Sequence, residues 1–358
     1  MSTYLATKLQ KVTQVVRDPQ RKAIPRIVFE ACRFWGSKGM PPLYYFRGFL
    51  YRQGISGPNS FLNEAECDVI WKKLGKMPTA PVLQDKINFY RGFKDAPDVR
   101  LARHLGWVSN GAYTSVDGET RPVADAADLE AVLGQMLGDV RTGGGESLFA
   151  KPRRGSKGAG IYRLTSAEPP ASLWRALQET GYVFQQTIQQ HEGLSAVAPD
   201  TLNSLRITTL RQSEGDPHVT ASWIRFGRRG EVVDNASNGG LYAGVDLDTG
   251  RLMGQAKTKF ERGGGLYTHH PDTGHPLVGF EVPEFRAALD MAIAAARYAE
   301  HPIVGWDVGI APDGPVVIEG NSHSNFMSDQ AATGAGYLDH PSVGPFVRGL
   351  LRDTAPTS

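Results

Sequence analysis

Three groups suited to a hard cation lie close together near the end of the chain: Asp307, Glu319 and Asn321. They sit on IVGWDVGIAPDGPVVIEGN, residues 303–321. Two apolar runs, Ile303 to Ile310 and Val316 to Ile318, flank Pro312, Asp313, Gly314 and Pro315, the pattern of a β-hairpin around a turn. Glu319 and Asn321 are two residues apart, so on a strand they share a face. Asp307 comes beside them if the hairpin folds back. Two carboxylates and an amide oxygen suit Mg²⁺, with phosphate oxygens and water completing the shell. A solvated polar edge after an apolar strand remains the plainer alternative on local pattern alone.

A second stretch, SLFAKPRRGSKGAGIYRL, reads as strand, glycine-rich loop, strand. Gly155, Ser156, Gly158 and Gly160 would let backbone N–H groups approach phosphates, and Lys151 adds a point charge. The order GxxxxGK[ST] is absent and so is GxGxxG, so neither a P-loop nor a dinucleotide fingerprint is present. An ordinary hairpin loop in a basic patch is the alternative. Arg206, Arg225 and Lys257 fall on or beside strands of an antiparallel meander, where Arg206 and Arg225 could meet across a sheet. Each alone is an ordinary surface charge; with two carboxylates and a glycine loop they suggest a polyphosphate pocket. Gln185, Gln186 and Ile188 end a strand-like run, YVFQQTIQQH, with Glu192 four residues beyond. Amide groups there could read an adenine edge and the carboxylate could take ribose hydroxyls, but the run by itself assigns neither role. His269, His270 and His275 surround Pro271 and Asp272 without a cysteine or an HExxH pattern. Zinc needs three or four converging ligands, so loop histidines or a substrate-facing role are the better readings.

The elements that must position these groups follow from patterning. Residues 1–50 read as amphipathic, basic helices interrupted at Pro25, packed on the body or offering a partner or membrane a docking face. Asn63 with Glu66 outlines a capping box for a helix over 60–78. Asp85 and Lys86 open another helical stretch, Val123 to Gly138 reads as a helix, and so does Leu173 to Glu179. Glu284 to His301 repeats apolar residues at helical spacing and leads directly into the hairpin. The segment from Gly334 is expected to close over the site.

Bulk composition limits the classes of function. With 39 basic and 37 acidic side chains the net charge is +2, which gives no argument for nucleic acid or for an acidic membrane and leaves only local charge distribution to matter. A hydrophobic fraction of 41% supports a real core. Cys32 and Cys67 match no metal spacing and read as reduced thiols of a cytoplasmic protein. No run is long enough for a transmembrane segment. Oligomeric state is not legible; a homodimer through the N-terminal helices is one option.

Taken in order, KPRRGSKGAG, QQTIQQH, NSLRI, VDNASNGG, HHPDTG, and GWDVG followed by VVIEGN resemble the ATP-grasp superfamily, and more narrowly the sugar-transfer-associated ATP-grasp proteins, relatives of the α-L-glutamate ligase-like group. The resemblance covers about Asp85 to Arg348. It implies an α+β fold with two subdomains enclosing a nucleotide site. The corresponding division is a mostly helical region 1–84, an N-terminal ATP-grasp part 85–190, a C-terminal part 191–348 with the metal site, and a flexible tail 349–358. By this resemblance Lys86 and Lys151 contact ATP, Gln185 to Ile188 form the adenine hinge, and Glu192 is the ribose acid. The resemblance puts Arg206 near the transferred phosphoryl group with Lys257 adding to it, and Asp307, Glu319 and Asn321 on Mg²⁺, with Mn²⁺ as a substitute; the residue types themselves add Lys151 and Arg225 to the groups stabilising the phosphoryl. The family's proline-containing stretch after the asparagine is Ser322-His323-Ser324 here, which leaves the substrate side open; His269, His270 and His323 are the candidate substrate contacts. The activity implied is an ATP-dependent carboxylate–amine ligase working through an acyl phosphate on small molecules, one of them a carboxylate. An amino acid and a sugar acid or amino sugar are the suggested pair. A small-molecule kinase and a non-catalytic nucleotide-binding scaffold are the alternatives.

Overall fold

A computed structural model describes residues 11–155, 158–212 and 215–352. Ser156 and the outer ends of the regions 1–84 and 349–358 therefore lie outside the described residues.

The first part is helical: α1 (Ile24–Lys38), α2 (Leu43–Arg47), α3 (Glu64–Leu74), α4 (Ala80–Gln84) and α5 (Lys86–Phe93). The expected capping box is present on α3: Asn63 Oδ1 accepts from Glu66 N at 2.9 Å and Glu66 Oε2 accepts from Asn63 N at 2.9 Å. Asp85 caps α5, its Oδ1 accepting from Ile87 N at 3.0 Å and Asn88 N at 3.3 Å. The aromatic run after Pro42 is packing material, with Tyr44, Tyr45, Phe49 and Tyr51 buried together with Phe34 and Phe61.

Two antiparallel sheets follow. The first orders its strands β3-β2-β1-β6-β4-β5. These are β1 (His104–Ser109), β2 (Ala112–Ser115), β3 (Thr120–Pro122), β4 (Leu148–Pro152), β5 (Tyr162–Leu164) and β6 (Tyr182–Gln186). Helices α6 (Ala126–Thr142) and α7 (Ala171–Glu179) cover one face. Leu129, Val132, Leu133, Met136, Leu137 and Val140 recur at helical spacing and bury against Leu148 and Phe184. α6 runs past Gly138, because a single glycine costs only about 1 kcal/mol in a helix whose neighbours are buried.

After α8 (Glu192–Val197) comes the second sheet, in the order β11-β10-β9-β8-β7-β12-β13. Its strands are β7 (Leu205–Leu210), β8 (His218–Phe226), β9 (Leu241–Gly244), β10 (Ala256–Lys257), β11 (Leu266–Tyr267), β12 (Ile303–Ala311) and β13 (Gly314–Asn321). The alanine-rich face of α9 (Phe285–Ala299) lies on it, burying Ala288, Ala292, Ala295 and Ala299 beside Ile207 and Val308. β12 and β13 form the expected hairpin, closed at Ala311↔Gly314. The chain ends in α10 (Phe326–Thr333) and α11 (Val343–Arg352). α11 buries Val343 and Val347 with Ile70 and Leu74 of α3.

The sheets are stitched where the chain passes between them. Val317 N donates to Arg100 O at 2.8 Å and Ala102 N donates to Val317 O at 3.1 Å, so residues 100–102 cover the β13 edge before entering β1. On the return path, His191 N donates to Ile310 O at 2.8 Å. No helix of the described residues is long and apolar enough to cross a membrane.

Candidate active site

Strand register assembles the site. Trp223 of β8 pairs with Arg206 of β7, Arg206 with Asp307 of β12, and Asp307 with Glu319 of β13. Residues directly opposite on antiparallel strands project to one face, so these side chains form a row across the second sheet. Arg206 Nε lies 2.6 Å and Arg225 Nη2 3.2 Å from Asp307 Oδ1. Burial pushes the Asp307 carboxyl up, but the two guanidiniums outweigh it and hold the group at about 2. Asp234 sits behind Arg225, accepting from Ser204 N at 2.7 Å with Arg225 Nε 3.5 Å away. Burial lowers the Arg225 pKa, yet Asp234 and Asp307 more than reverse this and raise it above the usual arginine value. Trp223 lies under both guanidiniums, each 5.8 Å from its ring centre, and its Nε1 donates to buried Asp329 at 2.7 Å.

The hairpin carries the three residues expected to bind a cation, Asp307 on β12 and Glu319 and Asn321 on β13. Glu319 Oε2 is 3.6 Å from Lys86 Nζ. Asn321 donates its amide N–H groups to Gly305 O at 3.2 Å and Glu319 Oε1 at 3.5 Å, which turns its carbonyl oxygen away from them. No cluster of three His, Cys, Asp or Glu able to hold a metal occurs among the described residues, zinc included. Two carboxylates with one amide oxygen fit a Mg²⁺ ion that takes its remaining oxygens from phosphate and water.

The first sheet faces this row across a cleft of about 810 Å³. Lys151 lines it, half-buried, with Nζ 5.9 Å from the Phe149 ring centre. Burial lowers its pKa from 10.5 to about 8, with Lys86 adding to the effect and Glu319 opposing it. The glycine loop follows. At Gly158, φ is +72° and an added Cβ would lie 3.0 Å from Val233 Cγ2, so glycine permits both the turn and the approach to the opposite wall.

At the far end of the cleft is an apolar slot with one open polar valence. Ile188, Leu202, Ile318 and Ala102 line it. Gln185 Nε2 donates to His104 Nε2 at 2.9 Å, while His104 Nδ1 donates to Ala102 O at 2.9 Å. Burial lowers the His104 pKa to about 4 and keeps the ring neutral, as that pattern requires. Gln185 Oε1 is buried and has no partner among the described residues. An orphan acceptor beside an apolar slot fits a flat base carrying an exocyclic amine. Gln186 contributes structurally, its Oε1 accepting from Arg103 Nη1 at 3.0 Å.

Other expected residues lie elsewhere. Glu192 is exposed on the first turn of α8 and does not line the cleft. Lys257 is in register with Tyr242, next to Arg225, but its Nζ donates to Ala331 O at 2.6 Å behind the tyrosine ring. Burial, with Arg52 nearby, lowers its pKa to about 7. His269 is exposed, and buried His270 is 2.9 Å from Gly227 O through Nε2, on the far side of the Arg228–Asp272 ion pair; neither lines the cleft. His323 does line it. Among the described residues the segment from Gly334 does not close over the cleft: its apolar side chains pack with those of α3. Tyr44, Arg47, Glu64 and Trp71 of the N-terminal helices line that end instead, Arg47 lying 3.3 Å from Glu64 and 3.0 Å from Glu261. No sequence motif marks them. Asp234 was also missed, although it begins the loop DNASNGG, where an acid before a turn next to basic strands is a usable signal.

This chain has the α+β ATP-grasp architecture, two sheets with a nucleotide-sized cleft between them. Residues 171–342 match the family described as sugar-transfer associated ATP-grasp. Among solved structures, D-cycloserine synthetase DcsG is 13% identical, covers 81% of this chain and 80% of its own, and has a TM-score of 0.47. The ATP-grasp ligase PsnB, complexed with minimal precursor, Mg and ADP, is 12% identical over 78% of this chain, with a TM-score of 0.42; the match spans 61% of PsnB. D-alanyl-alanine synthetase A from Vibrio cholerae O1 biovar eltor is 10% identical over 76% of this chain and 66% of its own, with a TM-score of 0.46. No curated protein matches.

Proposed function

We propose that the protein is an ATP-dependent carboxylate–amine ligase. The observation that carries this reading is the row Arg206–Asp307–Glu319 facing Lys151 and the glycine loop across one cleft. The Gln185 slot takes the adenine, its Oε1 accepting from the amine. Lys151 and Lys86 meet the phosphates. Glu319, Asn321 and the free oxygen of Asp307 hold Mg²⁺, which when bound neutralises charge on the phosphate oxygens. Arg206 and Arg225, fixed by Asp307 and Asp234, are preorganised donors for the transferring phosphoryl group. The substrate carboxylate oxygen attacks the γ-phosphorus and ADP leaves. The amine nitrogen then attacks the acyl carbon, phosphate leaves, and the nitrogen loses a proton to solvent. The glycine loop, touching Val233, shields the acyl phosphate from water.

The substrate pair we propose is an amino acid with a sugar acid or amino sugar, on the strength of the family description. The test is mass spectrometry of reactions with Mg²⁺, ATP and pools of both classes, following ADP, free phosphate and new masses together. ADP with free phosphate and a dehydrated adduct is expected. A phosphorylated product without free phosphate would establish a kinase instead.

Lys151 gives a pH prediction. Its folded pKa, about 8, lies below its ordinary 10.5, so its burial costs stability below pH 8, and that cost is relieved as pH rises towards 10.5. Phosphates favour the charged form, so nucleotide binding should take up a proton above about pH 8 and weaken by up to about tenfold per pH unit there. Calorimetry at pH 7 and 9 in buffers of different ionisation heat measures this. Lys151→Met should remove the slope, and a slope that survives it would remove Lys151 from the phosphates.

A further inference from the structure

Helix α1 carries one broad apolar arc, and only part of it is covered. Ile27, Ala31 and Phe34 are buried against the body. Next to this stripe Ile24, Val28 and Trp35 follow at helical spacing, and Phe29 stands about 120° further round the helix; Phe29 and Trp35 are 64% and 53% exposed. Monomeric surfaces scatter such side chains singly; here exposed Pro25, Cys32 and Gly36 fill the arc between Val28 and Phe29, so no charge interrupts it.

The charges around this face are of one sign. Residues 11–43 contain seven Lys and Arg and two acids, Asp18 and Glu30. Both acids are turned inward. Asp18 is paired with Arg52 at 2.8 Å and accepts from the Tyr51 hydroxyl at 3.0 Å. Glu30 is held by Lys22 at 2.6 Å, Arg26 at 2.8 Å and the Tyr45 hydroxyl at 2.9 Å. Lys11, Arg17, Arg26 and Arg33 are exposed. Arg26 and Arg33 also line a cavity of about 350 Å³ with Phe29 and Pro58, at the edge of the apolar face.

We propose that this face of α1 docks on an anionic lipid bilayer, the helix lying in the interface plane. Phe29 and Trp35 enter the acyl boundary, where amphipathic aromatic rings are favoured, and Arg26 and Arg33 meet headgroup phosphates. A second copy of the chain fits less well. A two-fold interface would set cation against cation with no exposed acid in the segment to pair them. The proposal is independent of the ligase reading.

The test is flotation of the full chain with phosphatidylcholine vesicles, with and without 30 mol% phosphatidylglycerol. Binding is expected only to the anionic vesicles, and 0.5 M NaCl should release it. Phe29→Ser with Trp35→Ser, and separately Arg33→Glu, should each weaken partitioning by about tenfold or more, with nucleotide binding unchanged. Arg33→Glu is a surface change that leaves the core intact, so lost binding there is not lost folding. No binding by the unmodified chain, equal binding to both vesicles, or partitioning indifferent to both variants would overturn the proposal. So would a solution dimer that Trp35→Ser converts to monomer, which would make the face a contact between copies.

Discussion

Glu319→Gln should lower turnover by about a hundred- to a thousandfold, the range seen when one preorganised charge-stabilising group is lost from an active site. Stability should change little. The side chain is 31% exposed and its ion pair to Lys86, at 3.6 Å, is long, so the pair contributes under about 1 kcal/mol. The amide keeps the size of the carboxylate and removes the charge. A loss of rate at an unchanged melting temperature therefore assigns the effect to cation and phosphate chemistry. Nucleotide affinity without Mg²⁺ should stay the same or rise, since a negative charge beside the phosphates is gone. The measurement is ADP release at saturating substrates beside a thermal melt. Turnover within threefold of the unmodified protein would remove Glu319 from the metal set.

What the sequence makes legible is local. Pro312, Asp313 and Gly314 between apolar runs announce the hairpin, and Asn63 with Glu66 announces the cap, because the interacting groups lie within a few residues of each other. The contacts that create the site are not local. Arg206 meets Asp307 only because β7 pairs with β12 in that register, and a slip of one residue would turn either side chain to the other face. Lys257 shows the limit in the other direction. It shares a strand row with Arg225, but the Tyr242 ring and the Ala331 carbonyl capture it, and such competition between neighbours leaves no trace in spacing. The N-terminal side chains at the cleft, Tyr44, Arg47 and Trp71, were illegible for a similar reason. They reach the site by packing helices onto the second sheet, and aromatic and basic residues are as suited to packing as to binding.

Asp307→Ala should cost about 3–5 kcal/mol of folding stability, because it leaves guanidinium charge uncompensated in a buried place. Arg206 suffers most: Asp307 lies 2.6 Å from its Nε, and its side chain is 10% exposed. Arg225 retains Asp234 at 3.5 Å. Loss of turnover in this variant alone would be ambiguous between metal binding and collapse of the arginine pair. The double variant Asp307→Leu with Arg206→Met separates a folding effect from a chemical one. Removing both partners for apolar groups of similar size is often neutral, so stability should return to within about 1–2 kcal/mol of the unmodified protein while turnover stays lost. Denaturant unfolding and ADP release, run on the single and double variants together, give the comparison. If the double variant regains activity with its stability, the buried pair is a structural clamp and the phosphoryl group is stabilised from Lys151 and Arg225 alone. If stability returns and activity does not, the buried pair serves the chemistry, through its carboxylate, its guanidinium or both, which explains why a charge pair is kept at a position where apolar packing would hold the sheet equally well.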